Sequence, residues 1–311
     1  MINLVAVVGP TASGKTALGV ALAQRYHGEI VSADSMQIYR EMQIGTAKPS
    51  AEEMRGIPHH LMDFVDPAEN FSAADYVRCA KPVISGIHAR GKLPVLVGGT
   101  GLYVRALLEN IQFKEAESDS AVRLRLEEEG RAYGPLTLWE RLKAVDPVLA
   151  EKLHPNNQGR VIRALEVYEL TGIPMSEHQR RSRLAPREYN TCMIGLAYRD
   201  RQKLYDRINL RVEKMMDAGL LQEAQRLYRQ SLSRTARQAI GYKELFRYFD
   251  GELSLEEAVD KIKQESRRYA KRQLTWFRRE EHINWIYMDD MDEIENLLEI
   301  CGKSMEICGI L

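Results

Sequence analysis

Residues 5–19 read VAVVGPTASGKTALG, and few folds accommodate that stretch. An apolar run that looks like a buried strand passes directly into Gly9-Pro10-Thr11-Ala12-Ser13-Gly14-Lys15-Thr16 and then into a helical pattern. That octapeptide fits G-x4-G-K-[ST] in the strand–loop–helix setting that gives the motif meaning. Its glycines let backbone N–H groups close around anionic oxygens, helped by the positive end of the following helix. Lys15 adds a point charge, and the Thr16 hydroxyl is placed to ligate Mg²⁺. A phosphate chain is therefore expected on Gly9–Thr16, but the motif leaves open whose phosphates they are.

Further strand-like runs occur at 29–34 (EIVSAD) and 92–99 (KLPVLVGG), separated by helical patterns at 15–26 and 72–91. Strands alternating with helices predict a parallel sheet with helices on both faces. The run NTCMIGLAYR at 190–199 is a further strand candidate that would rejoin the sheet after an excursion. The excursion, 115–186, is charged, helix-rich and broken by Gly and Pro. The expected fold class is α/β: a P-loop NTPase-like parallel sheet flanked by helices, formed by 1–114 and 187–311, with an inserted small helical domain at 115–186. From Asp200 onward the pattern is helical, with breaks at Gly219 and Gly241.

The chain of 311 residues carries 44 Lys+Arg and 44 Asp+Glu, so no global charge advertises a nucleic-acid partner and any such contact must be local. No leader or membrane-length apolar run stands out, and the four cysteines form no metal-ligand pattern. A cytoplasmic, reduced enzyme is expected. The adjacent His59 and His60 lack the further ligands a metal site needs.

A nucleotide hydrolase of this class usually carries a second strand ending in a metal-binding acid. Here the candidate strand ends in Gly98-Gly99-Thr100 instead. Asp34 and Ser35, just past the second strand, should open into the same crevice as the phosphate loop and Thr100. Asp34 is a candidate general base or the cap of the following turn. Ser35 and Gln37 offer groups able to hydrogen-bond a base edge. The segment RRYAKRQLTWFRR (267–279) holds six Lys/Arg and no acid. At helical spacing Arg268, Lys271, Arg272 and Arg279 share one face, while Ala270, Leu274 and Phe277 share the other. A basic outer face suits contact with a phosphate backbone, and a solvated face is the alternative. On these features alone, a small-molecule kinase, an enzyme acting on free adenylate and an RNA-binding ATPase remain open.

GPTASGKT, SADSMQIYR, IPHHLMDFVDP, LVGGTGLY, RVIRALEVYELTG, RQAIGYKE and RRYAKRQLTWFRR occur in that order. Together they resemble the bacterial tRNA dimethylallyltransferase (tRNA isopentenyltransferase) family from the first strand to about Arg279. The resemblance implies transfer of a dimethylallyl group from dimethylallyl diphosphate to the exocyclic amine of the adenine 3′ of the anticodon. It casts Gly9–Thr16 as the seat of the diphosphate, with Mg²⁺, and Asp34 as the base, with Thr100 fixing the reacting groups. Arg207 and Arg211, four apart in YDRINLRVEKM, resemble the diphosphate-binding arginines, with nothing to choose between them. For tRNA it implies Asp34, Ser35, Met36, Gln37 and Thr100, then Arg123, then Gly159, Arg160, Val161, Ile162 and Arg163, with Arg268, Lys271 and Arg272. One departure is HPNNQGR, in which Asn157 stands where the family pattern has an acid. No zinc-finger pattern follows Trp285, and a monomer meeting the tRNA anticodon stem-loop is implied.

Overall fold

The computed structural model describes residues 1–113, 120–182, 184–291 and 293–311. Six strands form one parallel sheet in the order β3-β2-β4-β1-β5-β6. They are β1 (Ile2–Val8), β2 (Gly28–Ser32), β3 (His59–His60), β4 (Leu93–Gly98), β5 (Tyr189–Ala197) and β6 (Ile283–Tyr287). Leu4 to Val8 and Val95 to Leu96 are buried on both faces, which is why these strands read as unbroken apolar runs rather than alternating ones. β1 is central, pairing Val5 with Val95 of β4 on one side and with Cys192 of β5 on the other. The helix Lys15–Arg25 packs closely on this sheet at Gly19, where a Cβ would meet the Val97 side chain at 2.5 Å.

The order of strands builds the site. β2, β4 and β1 are neighbours, and their carboxyl ends release the Asp34 turn, the Gly99-Thr100 segment and the phosphate loop respectively. Ligands of parallel sheets gather at such ends. The helix Leu255–Phe277 lies over this edge and starts at a capping box. The Ser254 hydroxyl accepts the Glu257 N–H, while the Glu257 carboxylate accepts the Ser254 N–H.

Two strands differ from expectation. β6 interrupts the stretch expected to be helical beyond Asp200, pairing Met193 to Ala197 of β5 with Ile283 to Tyr287. INWIY is short and only partly buried, so its pairing with β5 decides its structure rather than any internal periodicity. β3 has only two residues and sits at the sheet edge beside Ile30 and Val31.

The chain divides into two compact units, Met1–Leu108 with Arg187–Leu311, and Glu109–Pro186. The expected boundary at 114/115 lies outside the described residues. The second unit consists of helices, including Ser120–Tyr133, Pro135–Val145 and Gln158–Thr171, around a core of Leu126, Leu138, Leu142, Val161 and Leu165. Trp139 fixes the turn below them by donating its indole N–H to the Leu153 carbonyl at 2.7 Å. Among the described residues no helix is long and apolar enough to cross a membrane.

Candidate active site and nucleic-acid interface

The phosphate loop is held in a conformation that its sequence permits. Gly9 has φ 142°, and a Cβ there would meet the Leu196 carbonyl of β5 at 2.5 Å. Gly14 has φ 96° and opens the helix. Lys15 folds over the loop and donates to the Pro10 carbonyl at 2.6 Å. Burial, and after it the charge of neighbouring Arg211, push the Lys15 ammonium down to about 7 against the opposing charge of Asp34. The charges of Lys15, Arg211 and Asp34 therefore influence one another at this loop.

The same geometry distinguishes the two arginines of the helix Arg201–Asp217. Arg207 is exposed and donates through Nε to the Ala12 carbonyl at 3.0 Å, with its guanidinium over Tyr198. Arg211 lies deeper, where burial lowers its pKa while Asp34 and Glu53 favour its charge. Arg207 braces the loop from outside, and Arg211 shares the charge field of Lys15 and Asp34.

Asp34 caps its turn with one oxygen and leaves the other open. Oδ1 accepts the Met36 N–H at 2.9 Å and the Gln37 N–H at 3.4 Å, an Asx turn. Among the described residues Oδ2 has no hydrogen-bond partner. Thr100 is bound into this turn: its backbone N–H donates to the Ala33 carbonyl, and Oγ1 accepts the Ser35 N–H at 3.0 Å and donates to Ser35 Oγ at 3.2 Å. Asp34, Ser35 and Thr100 thus form one rigid polar group.

Gln37 and Met36 both make contacts within the fold. The Gln37 amide donates to the Thr46 and Ala47 carbonyls and accepts from Ser32 Oγ at 3.2 Å, so its side chain is engaged within the fold. Met36 packs against the apolar cluster around Ile38 and Tyr242. The loop that receives Gln37 is itself fixed by buried Glu223, which accepts the N–H groups of Gln43, Ile44 and Gly45 and the Tyr242 hydroxyl. This explains the RQAIGYKE segment: Tyr242 lies where any Gly45 side chain would go.

The basic helix has the two faces that its spacing predicts. Arg268, Lys271 and Arg272 are exposed, and Ala270 and Phe277 are buried. Arg279 follows the helix end at Phe277 and is exposed. Arg268 is paired with Glu265 at 2.6 Å, a partner just outside the acid-free segment. The pattern of charges does not single out Gln273, the uncharged polar residue of the inner face, although a glutamine among Ala270, Leu274 and Phe277 is itself a signal.

In the second unit, Arg160 is exposed on the first turn of the helix Gln158–Thr171, after Gly159. Val161 and Ile162 turn their side chains into the core of this unit, behind the neighbouring arginines. Arg163 pairs at 2.9 Å with Glu166, a fully buried carboxylate that Arg123 also approaches at 3.9 Å. Asn157, at the helix N-cap, makes no side-chain cap.

His59 and His60 are structural. His60 Nε2 meets buried Glu29 at 2.7 Å, and His59 Nδ1 meets the Ile57 carbonyl at 2.8 Å. Burial alone would raise the Glu29 carboxyl, but Arg90, Lys92 and His60 together outweigh it and hold the group down at about 2. The four cysteines are free thiols.

A family model described as IPP transferase matches residues 37–280. The chain belongs to the IPP transferase family. It is 50% identical over 301 residues to the tRNA dimethylallyltransferase of Caldanaerobacter subterraneus subsp. tengcongensis, covering 96% of each. It is 52% identical to that of Geobacillus thermodenitrificans, covering 97% of each. Among solved structures it is similar to the full-length tRNA isopentenylpyrophosphate transferase of Bacillus halodurans, with TM-score 0.75 and 48% identity over 99% of this chain and 98% of that one. It also resembles a eukaryotic dimethylallyltransferase acting on tRNA, with TM-score 0.83 and 29% identity over 99% of this chain and 80% of the other. The IPP transferase match begins inside the Asp34 turn and ends just past the basic helix, so it spans Thr100, both arginines and the charged outer face.

Proposed function

We propose that the chain transfers a dimethylallyl group from dimethylallyl diphosphate to the exocyclic amine of the adenine immediately 3′ of the anticodon in tRNA, releasing diphosphate. The observation that supports this most is the Asp34 carboxylate, whose first oxygen fixes the turn while its second is open, and whose charge favours the charged forms of Lys15 and Arg211. An aromatic exocyclic amine is a poor nucleophile, and a carboxylate that takes its proton as the N–C bond forms improves the attack. Asp34 Oδ2 is suited to that proton, with Thr100 holding the turn in register. As the carbon–oxygen bond breaks, negative charge grows on the diphosphate, and the loop N–H groups, Lys15 and Arg211 meet it.

Mg²⁺ belongs to this proposal. Among the described residues no group of three or more His, Cys, Asp or Glu could hold an ion. Thr16 offers one hydroxyl at the loop, which suits a cation that keeps waters and takes its remaining oxygens from the donor's phosphates. Such an ion would supply further neutralisation of the leaving group.

On the tRNA side, Arg268, Lys271 and Arg272, with Arg123, Arg160 and Arg163 of the second unit, are the proposed phosphate contacts. The adenine must leave its stack to reach Asp34. A monomer in the cytoplasm suffices for this chemistry. Arg272→Glu is expected to weaken tRNA binding about tenfold at low salt and to lower the slope of log affinity against log salt by about 1 to 2. Arg268→Glu should do less, because Glu265 already shares its charge. Filter binding across a salt series checks this, and unchanged affinity would make the helix face merely solvated.

The function itself is tested by incubating the protein with unmodified tRNA, Mg²⁺ and dimethylallyl diphosphate. Diphosphate should be released in step with prenylated tRNA and without ATP. A strict need for ATP, with a phosphorylated product, would overturn the proposal.

A further inference from the structure

The inner face of the basic helix reaches both halves of the site through one side chain. Gln273 is 5% exposed. Its Oε1 accepts the Thr11 N–H of the phosphate loop at 2.8 Å, and its Nε2 donates to the Gly99 carbonyl at 3.0 Å. Gly99 directly precedes Thr100, which is bound to the Asp34 turn. The amide therefore spans the carboxyl ends of β1 and β4, tying the diphosphate seat to the segment that holds the base.

The surrounding residues are shaped for this contact. A Cβ on Gly99 would fall inside the Gln273 amide, and one on Gly101 would fall inside the Trp276 indole. The glycines of GGTG, which stand where a nucleotide hydrolase would carry an acid, serve here to admit the basic helix. Tyr269, one turn earlier, faces the same group: burial and the charge of Asp34 push its hydroxyl well up, and the neighbouring Thr100, Arg272 and Gln273 oppose that shift. A primary amide matches the span because it presents an acceptor and a donor side by side, which neither a carboxylate nor an apolar side chain does.

We propose, resting on the prenyl transfer set out above, that Gln273 is a positioning residue that sets the separation between the phosphate loop and the Thr100–Asp34 group. That separation fixes how far the donor carbon lies from the adenine amine. A misplacement of about 1 Å between reacting groups can cost on the order of a hundredfold in rate. The helix whose outer face carries Arg268, Lys271 and Arg272 thus has a second role inside the site.

The test uses the full-length protein, saturating tRNA and dimethylallyl diphosphate. Gln273→Met keeps the length and packing of the side chain but removes both hydrogen bonds. Turnover is expected to fall about tenfold or more, with tRNA Kd within about twofold of the parent and Tm within a few degrees. Gln273→Glu keeps an acceptor for Thr11 but opposes the Gly99 carbonyl with a carboxylate near the leaving group. It should raise the KM for the donor as well as lower kcat. A packing role would be met by methionine, so turnover of Gln273→Met within about fivefold of the parent would overturn the proposal. Loss of tRNA affinity in proportion to turnover would also overturn it, by making the helix surface responsible. Should Gln273→Met fail to fold, the KM-against-kcat split of Gln273→Glu decides in the same way. Parent protein that transfers no prenyl group would instead refute the function, leaving the two failures distinct.

Discussion

Asp34→Asn is expected to lower turnover about 10²- to 10⁴-fold while leaving tRNA affinity within about threefold. Asparagine keeps the oxygen that accepts the Met36 and Gln37 N–H groups, so the turn and its bond to Thr100 should persist. What it loses is the open oxygen that would take the amine's proton. Because Asp34 also favours the charged form of Lys15, the donor's KM should rise as well, and saturating donor separates the two effects. Single-turnover prenylation beside tRNA binding checks this result. Equal losses in both would show that Asp34 binds the adenine without acting as its base.

Lys15→Met is expected to cost about 10²- to 10³-fold in kcat/KM for the diphosphate donor. Its consequences depend on pH in the parent enzyme. Burial and Arg211 bring the ammonium to about 7, so Lys15 is charged below that value and loses its proton as the pH rises through it. Binding a polyanion restores the proton, so donor affinity should fall as pH rises above about 7. Arginine stays charged throughout this range, and Lys15→Arg should flatten the profile whatever its absolute affinity. Donor KM measured from about pH 6.5 to about pH 9 on both proteins is the check. Parallel profiles would show that Lys15 keeps its proton in the free enzyme.

Much of this site is legible in the sequence itself, because its chemistry lies in contiguous motifs. The phosphate loop needs glycines, a lysine and a threonine in fixed order, and strand ends of a parallel sheet converge wherever the loops between them go. That rule alone brings Asp34 and Thr100 to the loop. The rest depends on contacts between residues far apart in the chain. Gln273 bonds Thr11 across 262 positions, and Glu223 holds Gln43 to Gly45 across about 180. No local period reports such pairs. The choice between Arg207 and Arg211 is equally closed to spacing, since both lie on one helix face and only their depth beside Lys15 separates them.

Similar limits explain the unexpected strand and the side-chain orientations that spacing does not report. INWIY becomes β6 because β5 offers a free edge, not because five mixed residues demand a strand. Val161 and Ile162 sit between two arginines in sequence, yet the turn of the helix sends them into the core while Arg160 faces outward. Gln37 carries the groups of a base reader but uses them on Ser32, Thr46 and Ala47. A motif records which residues are needed and does not say which of them face the ligand.

The most direct measurement is mass spectrometry of nucleosides from tRNA incubated with the protein, Mg²⁺ and dimethylallyl diphosphate, with ATP left out. The expected result is an adenosine carrying one added dimethylallyl group on its exocyclic amine, mapped by nuclease fragments to the position 3′ of the anticodon and nearly absent with Asp34→Asn. Unaltered nucleosides, or a modified nucleoside at another position, would contradict the account.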